Sequence, residues 1–120
     1  MIKIIFFLVF LFFISACSKP NQNIPNGSAE LKEFKMTAKQ FSFSPETMEV
    51  NKGDRVKLTV TSVDVPHGIS IPEYGINERL NPGEPVTIEF VADKEGTFTA
   101  FCSVFCGSGH NRMKGKIIVK

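Results

Sequence analysis

The chain predicts an all-β fold, a β-sandwich or barrel, and three observations carry that expectation. Arg55-Val-Lys-Leu-Thr-Val-Thr61 and Pro85-Val-Thr-Ile-Glu-Phe90 alternate apolar and polar residues with the period of a half-buried strand. Clusters of turn residues separate the runs: Asn51-Lys-Gly53-Asp54, Asn81-Pro-Gly83-Glu84 and Asp93-Lys-Glu-Gly96. Neither an amphipathic helical pattern nor an internal repeat interrupts the series. At 120 residues the chain holds one small domain at most.

Taken in order, the first 16 residues stand apart. Met1-Ile-Lys3 is a short basic start, and Ile4 to Ile14 is an unbroken apolar run. That run is shorter than the roughly 20 residues a membrane helix needs and reads as the apolar stretch of an export signal. Ile14-Ser15-Ala16-Cys17 is similar to a bacterial lipobox, which implies cleavage before Cys17 and a lipid on that residue. An ordinary signal peptide or short anchor with an incidental cysteine is the alternative. Residues 17–32, with Lys19-Pro20-Asn21-Gln22-Asn23-Ile24-Pro25-Asn26-Gly27-Ser28, lack any apolar period and read as a flexible linker. The globular domain is expected over 33–120, exported and tethered to the outside of the cell membrane.

Within that domain, Glu33 to Phe43 supplies a strand or two, and Met48 and Val50 begin the next. Val56, Leu58 and Val60 share one face of the following strand; Val86, Ile88 and Phe90 do the same later. Gly96 to Phe101 leads into a cysteine-bearing loop, and Lys114 to Lys120 is a strand leaving it. Seven phenylalanines outside the leader, with Val, Ile and Leu, suffice for a small core. Charge excludes little except nucleic acid. Without residues 1–16, which contain only Lys3, 13 basic residues face 12 acidic ones, and no basic block is present.

The chemistry concentrates in Cys102-Ser-Val-Phe-Cys106-Gly-Ser-Gly-His110-Asn-Arg-Met113. Two thiols, an imidazole and a thioether fall within one loop, and these are donors that copper selects. The only other histidine, His67, lies in a glycine-containing, turn-like segment upstream. Residues four apart on an extended strand are roughly 13 Å apart, so both cysteines reach one centre only if the chain curls. Gly107 and Gly109 permit that curl. Three other readings of these residues stay open: a Cys102–Cys106 disulfide in an exported domain, a zinc site of two Cys and two His, and a mononuclear copper site using one Cys, two His and a weak Met.

The segment from about Phe34 to Lys120 resembles the cupredoxin domain of cytochrome c oxidase subunit II. Cys-x-x-x-Cys-Gly-x-x-His-x-x-Met is complete as Cys102, Cys106, Gly107, His110 and Met113, preceded by Asp64-Val65, His67 and Pro72. The resemblance implies a cupredoxin-like Greek-key β-sandwich and a binuclear copper centre of the Cu-A type. Cys102 and Cys106 would bridge two copper ions, with His67 and His110 each on one. Met113 would be an axial ligand on the His67 copper, and the Val104 carbonyl would serve the other. Many members carry glutamate at that position, and Val104 lacks its carboxylate. The aromatic stretch upstream, tryptophan-rich in the family, is Gln40-Phe41-Ser42-Phe43 here, and the chain has no Trp. The implied function is electron transfer from a c-type cytochrome or similar donor to a haem–copper oxidase through its subunit I. No catalysis is expected of this chain alone. A copper chaperone or store using the same ligands is the competing function. Tyr74 and Phe105 are the aromatic candidates for a docking patch.

Overall fold

The structure is a computed structural model that describes residues 29–120. The expected signal segment 1–16, Cys17 and most of the expected linker lie outside the described residues. Among the described residues are nine strands: β1 (Leu31–Lys39), β2 (Ser42–Ser44), β3 (Thr47–Val50), β4 (Arg55–Ser62), β5 (His67–Ile71), β6 (Ile76–Leu80), β7 (Val86–Val91), β8 (Gly96–Phe101) and β9 (Lys114–Val119). Single turns of 3-10 helix follow β5 at Pro72–Tyr74 and precede β9 at His110–Arg112. The strands form two mixed sheets, β2-β1-β4-β7 and β3-β9-β8-β5-β6.

The period-two runs become strands because one face of each can be buried. Strand β4 turns Val56, Leu58, Val60 and Ser62 inward and presents Arg55, Lys57, Thr59 and Thr61 outward. It lies at the centre of its sheet, parallel to β1 from Leu31↔Arg55 to Ala38↔Ser62 and antiparallel to β7 from Arg55↔Val91 to Val60↔Val86. Against it, across the sandwich, pack Ile69, Ile71, Leu80, Met48 and Ile117, all 2 % exposed or less. The all-β sandwich expected from the alternation is the fold observed.

Three details differ from the expectation. Strand β1 begins at Leu31, two residues before Glu33, because its backbone pairs with β4 irrespective of side-chain pattern; the Arg55 N–H also donates to the Glu30 carbonyl at 3.0 Å. Val86 and Phe90 are only half-buried, since β7 is an edge strand, and Ile88 alone on that face is fully covered. His67 lies at a strand end, as its approach to the cysteine loop requires, but not in a turn: it opens β5, all five residues of which are buried. A strand covered on both faces shows no alternation, and the glycine and proline around His67-Gly-Ile-Ser-Ile71 look like turn signals.

The topology gathers one set of loops at one pole. Strands β1 and β4 end together there, β5 starts there after a short loop from β4, and β8 ends there opposite the start of β9. The β1–β2 corner, the β4–β5 loop and the long β8–β9 loop therefore meet. Leu58, 0 % exposed at the sandwich centre, is expected to be central to stability. Leu58→Ala should cost about 2–5 kcal/mol in urea denaturation, whereas Val63→Ala, at a 60 % exposed loop position, should change stability by no more than about 0.5 kcal/mol.

Candidate metal centre

His67 enters the pole on the inward face of β5 and is completely buried. The loop that follows β8 brings the other donors to it. The Cys102 and Cys106 sulfurs are 3.7 Å apart, and the His67 Nδ1 lies 3.8 Å from the Cys102 sulfur. His110 Nδ1 lies 3.7 Å from the Cys106 sulfur, and the Met113 Sδ 3.9 Å from it. The Val104 carbonyl oxygen stands 3.1 Å from the Cys102 sulfur. One ligand atom each from His67, Cys102 and Cys106 fall within 4.8 Å of one another. All six residues singled out in the sequence thus converge; Cys17 lies outside the described residues.

Local chain chemistry explains the curl. The Cys102 N–H donates to the Met113 carbonyl at 3.1 Å, closing the base of the loop where β8 meets β9. Gly107 adopts φ +135°, a conformation L side chains rarely take, and its N-terminal neighbour is thereby turned back toward Cys102. The ring of Phe41 packs so closely beneath Gly109 that any β-carbon there would collide with it. On the opposite flank, Gly68 leaves room for Ser103 and Val104, and Ser103 Oγ donates to Asn77 Oδ1 on β6 at 2.7 Å. The loop is thus held from both sheets.

The imidazole of His67 is oriented by a carboxylate. Its Nε2 lies 2.7 Å from Asp64 Oδ1, which leaves Nδ1 to face the sulfurs. Burial works to raise the Asp64 pKa, but hydrogen bonds from the Gln40 and Val65 N–H groups and from His67 outweigh it and hold the carboxyl below the ordinary aspartate value. Asp64 is therefore an anion at neutral pH, a fixed acceptor for the His67 N–H. The Cys106 thiol is pushed up to about 11, chiefly by burial and further by Cys102 and Asp64. Without metal it keeps its proton at neutral pH, and a thiophilic cation must displace it.

The residues present fit copper. A disulfide needs sulfurs about 2.0 Å apart; at 3.7 Å the two cysteines are free thiols. Half that separation is less than a metal–thiolate bond of about 2.3 Å, so a metal on either side of the sulfur pair can bond both. Two thiols, two imidazoles and a thioether form a soft set, and the thioether favours copper over zinc.

Sequence reasoning missed the residues that brace these donors. Asp64 was visible as part of a motif but without a role. Gln40 and Asn77 lie 66 and 26 residues from their loop partners, Cys106 and Ser103, and nothing in their local sequence signals the contact. Of the two aromatic candidates, Phe105 is 78 % exposed with its ring 5.7 Å from that of His110. Tyr74 packs on Phe90 and Phe98 at the far end of β5 and belongs to the core margin.

A two-sheet β-sandwich with soft donors converging at one pole defines a class, the copper-site β-sandwich proteins. Residues 4–119 match the family model of the cupredoxin-like domain, and the chain belongs to that family. It is 38% identical over 90 residues to a nitrous-oxide reductase of Cupriavidus necator, covering 72% of this chain and 14% of that protein. It is 35% identical over 80 residues to cytochrome c oxidase subunit 2 of Thermus thermophilus, covering 67% of this chain and 59% of the subunit. The chain therefore spans a minor part of the first relative and less than two thirds of the second. Among solved structures, a heme-copper terminal oxidase dimer superposes with a TM-score of 0.73 at 29% identity, covering 80% of this chain and 68% of that one. The periplasmic domain of subunit II of the cytochrome oxidase of Bradyrhizobium japonicum gives 0.67 at 25%, covering 73% and 83%. The resemblance to subunit II domains expected from the motif is thus found in sequence and structure.

Two outcomes follow from the geometry. Gly109→Ala should dislodge Phe41 and the loop, and is expected to lower both thermal stability and metal uptake, read by calorimetry and copper titration. The raised Cys106 pKa has a defined sign. The unfolded thiol ionises near 9 and the folded one near 11, so its contribution to metal-free stability is full below pH 9 and is lost as pH rises toward 11. The stability difference between the wild type and Cys106→Ser should therefore shift against the wild type across that window in denaturant titrations.

Proposed function

We propose that this domain is a membrane-tethered electron carrier with a binuclear copper centre of the Cu-A type. The observation that carries this reading is the pair of unbonded sulfurs 3.7 Å apart, each with an imidazole nitrogen beside it. A mononuclear site of the common blue-copper kind needs only one of these thiols, whereas here two free, buried thiols face the same point. In this reading Cys102 and Cys106 would hold the copper as shared thiolates, with His67 and His110 each offering Nδ1 beside one of the sulfurs. The Met113 thioether and the Val104 carbonyl would be the weaker donors of the set. Bound copper supplies a one-electron couple that two metals can share.

The chain's own contribution is to keep the donors still. His67, Cys102, Cys106 and Met113 are all buried, so water is kept from four of the ligands. Asp64 fixes the His67 ring, the β8–β9 ladder fixes the base of the loop, and Asn77 and Phe41 brace its two sides. A frame of this kind opposes ligand movement when an electron arrives or leaves. Half-buried His110, with exposed Phe105 beside it, is the route by which a partner approaches the site.

The relatives, by name a cytochrome c oxidase subunit 2 and a heme-copper terminal oxidase, support a c-type cytochrome or similar donor and a haem–copper oxidase acceptor, which in this reading is reached through its subunit I. The similarity to nitrous-oxide reductase makes a reductase of that kind the other class of acceptor. The lipobox-like Ile14-Ser15-Ala16-Cys17 supports export and lipid attachment at Cys17, which mass spectrometry of the membrane fraction would test. No helix among the described residues is long and apolar enough to cross a membrane.

The test is copper stoichiometry coupled to electron transfer. The wild type should bind two copper ions per chain, and Cys106→Ser one. The loaded wild type should oxidise a reduced c-type cytochrome by about one electron per chain in stopped-flow. Ready surrender of copper to a chelator, with no oxidation of the cytochrome, would instead assign the domain to copper delivery or storage.

A further inference from the structure

Gln40, at the corner between β1 and β2, touches both arms of the metal site. Its backbone N–H donates to Asp64 Oδ2 at 2.7 Å. The other oxygen of that carboxylate holds His67 Nε2, also at 2.7 Å. Its side-chain Nε2 donates to the Cys106 carbonyl at 2.7 Å. One residue thus joins the carboxylate that orients the first histidine to the main chain of the second cysteine. Gln40 is otherwise exposed, and water would satisfy its amide without this contact, so the bond is not forced by burial. Its neighbour Phe41 fits beneath Gly107 and Gly109, where a side chain on either glycine would meet the ring. The corner therefore meets the ligand loop twice, by a directed hydrogen bond and by a fitted ring.

Accepting the metal site of the preceding section, we propose that Gln40 is a positioning residue: it sets the separation between the His67 arm and the cysteine loop, and restrains the loop from opening to release metal. Among the described residues the Cys106 carbonyl accepts from no other donor, so loss of the Gln40 amide frees the segment between the Ser103–Asn77 contact and the Gly109–Phe41 contact. The backbone bond to Asp64 survives any substitution except proline, so the side-chain bond can be removed alone. Asp64 and His67 then keep their own contact, and the change falls on the loop.

The test uses Gln40→Met, which keeps the length and removes the donor, and Gln40→Glu, whose carboxylate would face the Cys106 carbonyl. Both changes are on an exposed side chain. In the metal-free protein, amide hydrogen exchange of residues 103–110 is expected to speed up about five- to tenfold, the scale of one lost neutral hydrogen bond, while exchange in β4 stays at the wild-type rate. In the copper-loaded protein, transfer of copper to an excess of Cu(I) chelator should quicken by a similar factor. Leu58→Val serves as a control that loosens the core without touching the loop. Loop exchange equal to wild type in both Gln40 variants overturns the proposal, as does acceleration spread evenly over β4 and the loop. So does unchanged copper release from a wild type that holds copper. A wild type that takes up no copper removes the functional reading instead, and loop exchange alone then decides whether Gln40 positions the loop.

Discussion

Everything at the functional pole depends on two sulfurs being held 3.7 Å apart without bonding to each other. Thiols so close would close to a disulfide in an oxidising compartment, and on a regular strand they would be too far apart to share anything. The intermediate distance exists because Cys102 is anchored at the end of β8 by the Met113 carbonyl while Gly107 turns the chain back after Cys106. The loop between them is pinned on one side by Asn77 and on the other by the Gln40–Phe41 corner. The copper fit, the buried ligands and the electron-transfer reading all follow from that spacing.

The sandwich supplies the rigidity that the loop lacks. Central strand β4 and the strands opposite it bury Leu58, Val60, Ile69 and Ile71 completely, and such a core moves as one body. His67 projects from this body, whereas the other donors belong to a loop that returns to it at Met113. The two halves are chemically unlike: one is a histidine on a strand with a carboxylate behind it, the other a glycine-rich curl. The site is assembled where they meet, and Gln40, bonded to Asp64 on one side and to the Cys106 carbonyl on the other, spans the junction.

Much of this was legible in the chain. The alternation at 55–61 and the motif from Cys102 to Met113 identified the fold class and the donors, because period-two burial and ligand chemistry both leave local marks. What stayed hidden was non-local. Strand β5 reads as a turn because Gly68 and Pro72 dominate its surroundings, yet Gly68 is there to let Ser103 and Val104 pass above it. Gln40 and Asn77 are ordinary polar residues whose value comes from partners distant in sequence. Strand β1 starts earlier than its apolar pattern suggests because main-chain pairing to β4 needs no pattern. The packing of Tyr74 against Phe90 and Phe98, rather than toward a partner, follows from its place after β5 at the opposite pole.

The binuclear reading is the central claim, and electron paramagnetic resonance of the copper-loaded, partly oxidised domain addresses it most directly. Hyperfine structure shared equally over two copper nuclei is the predicted result, since both thiolates would be common to both metals. A spectrum with hyperfine splitting from a single nucleus would contradict it and leave Cys106 without its assigned part.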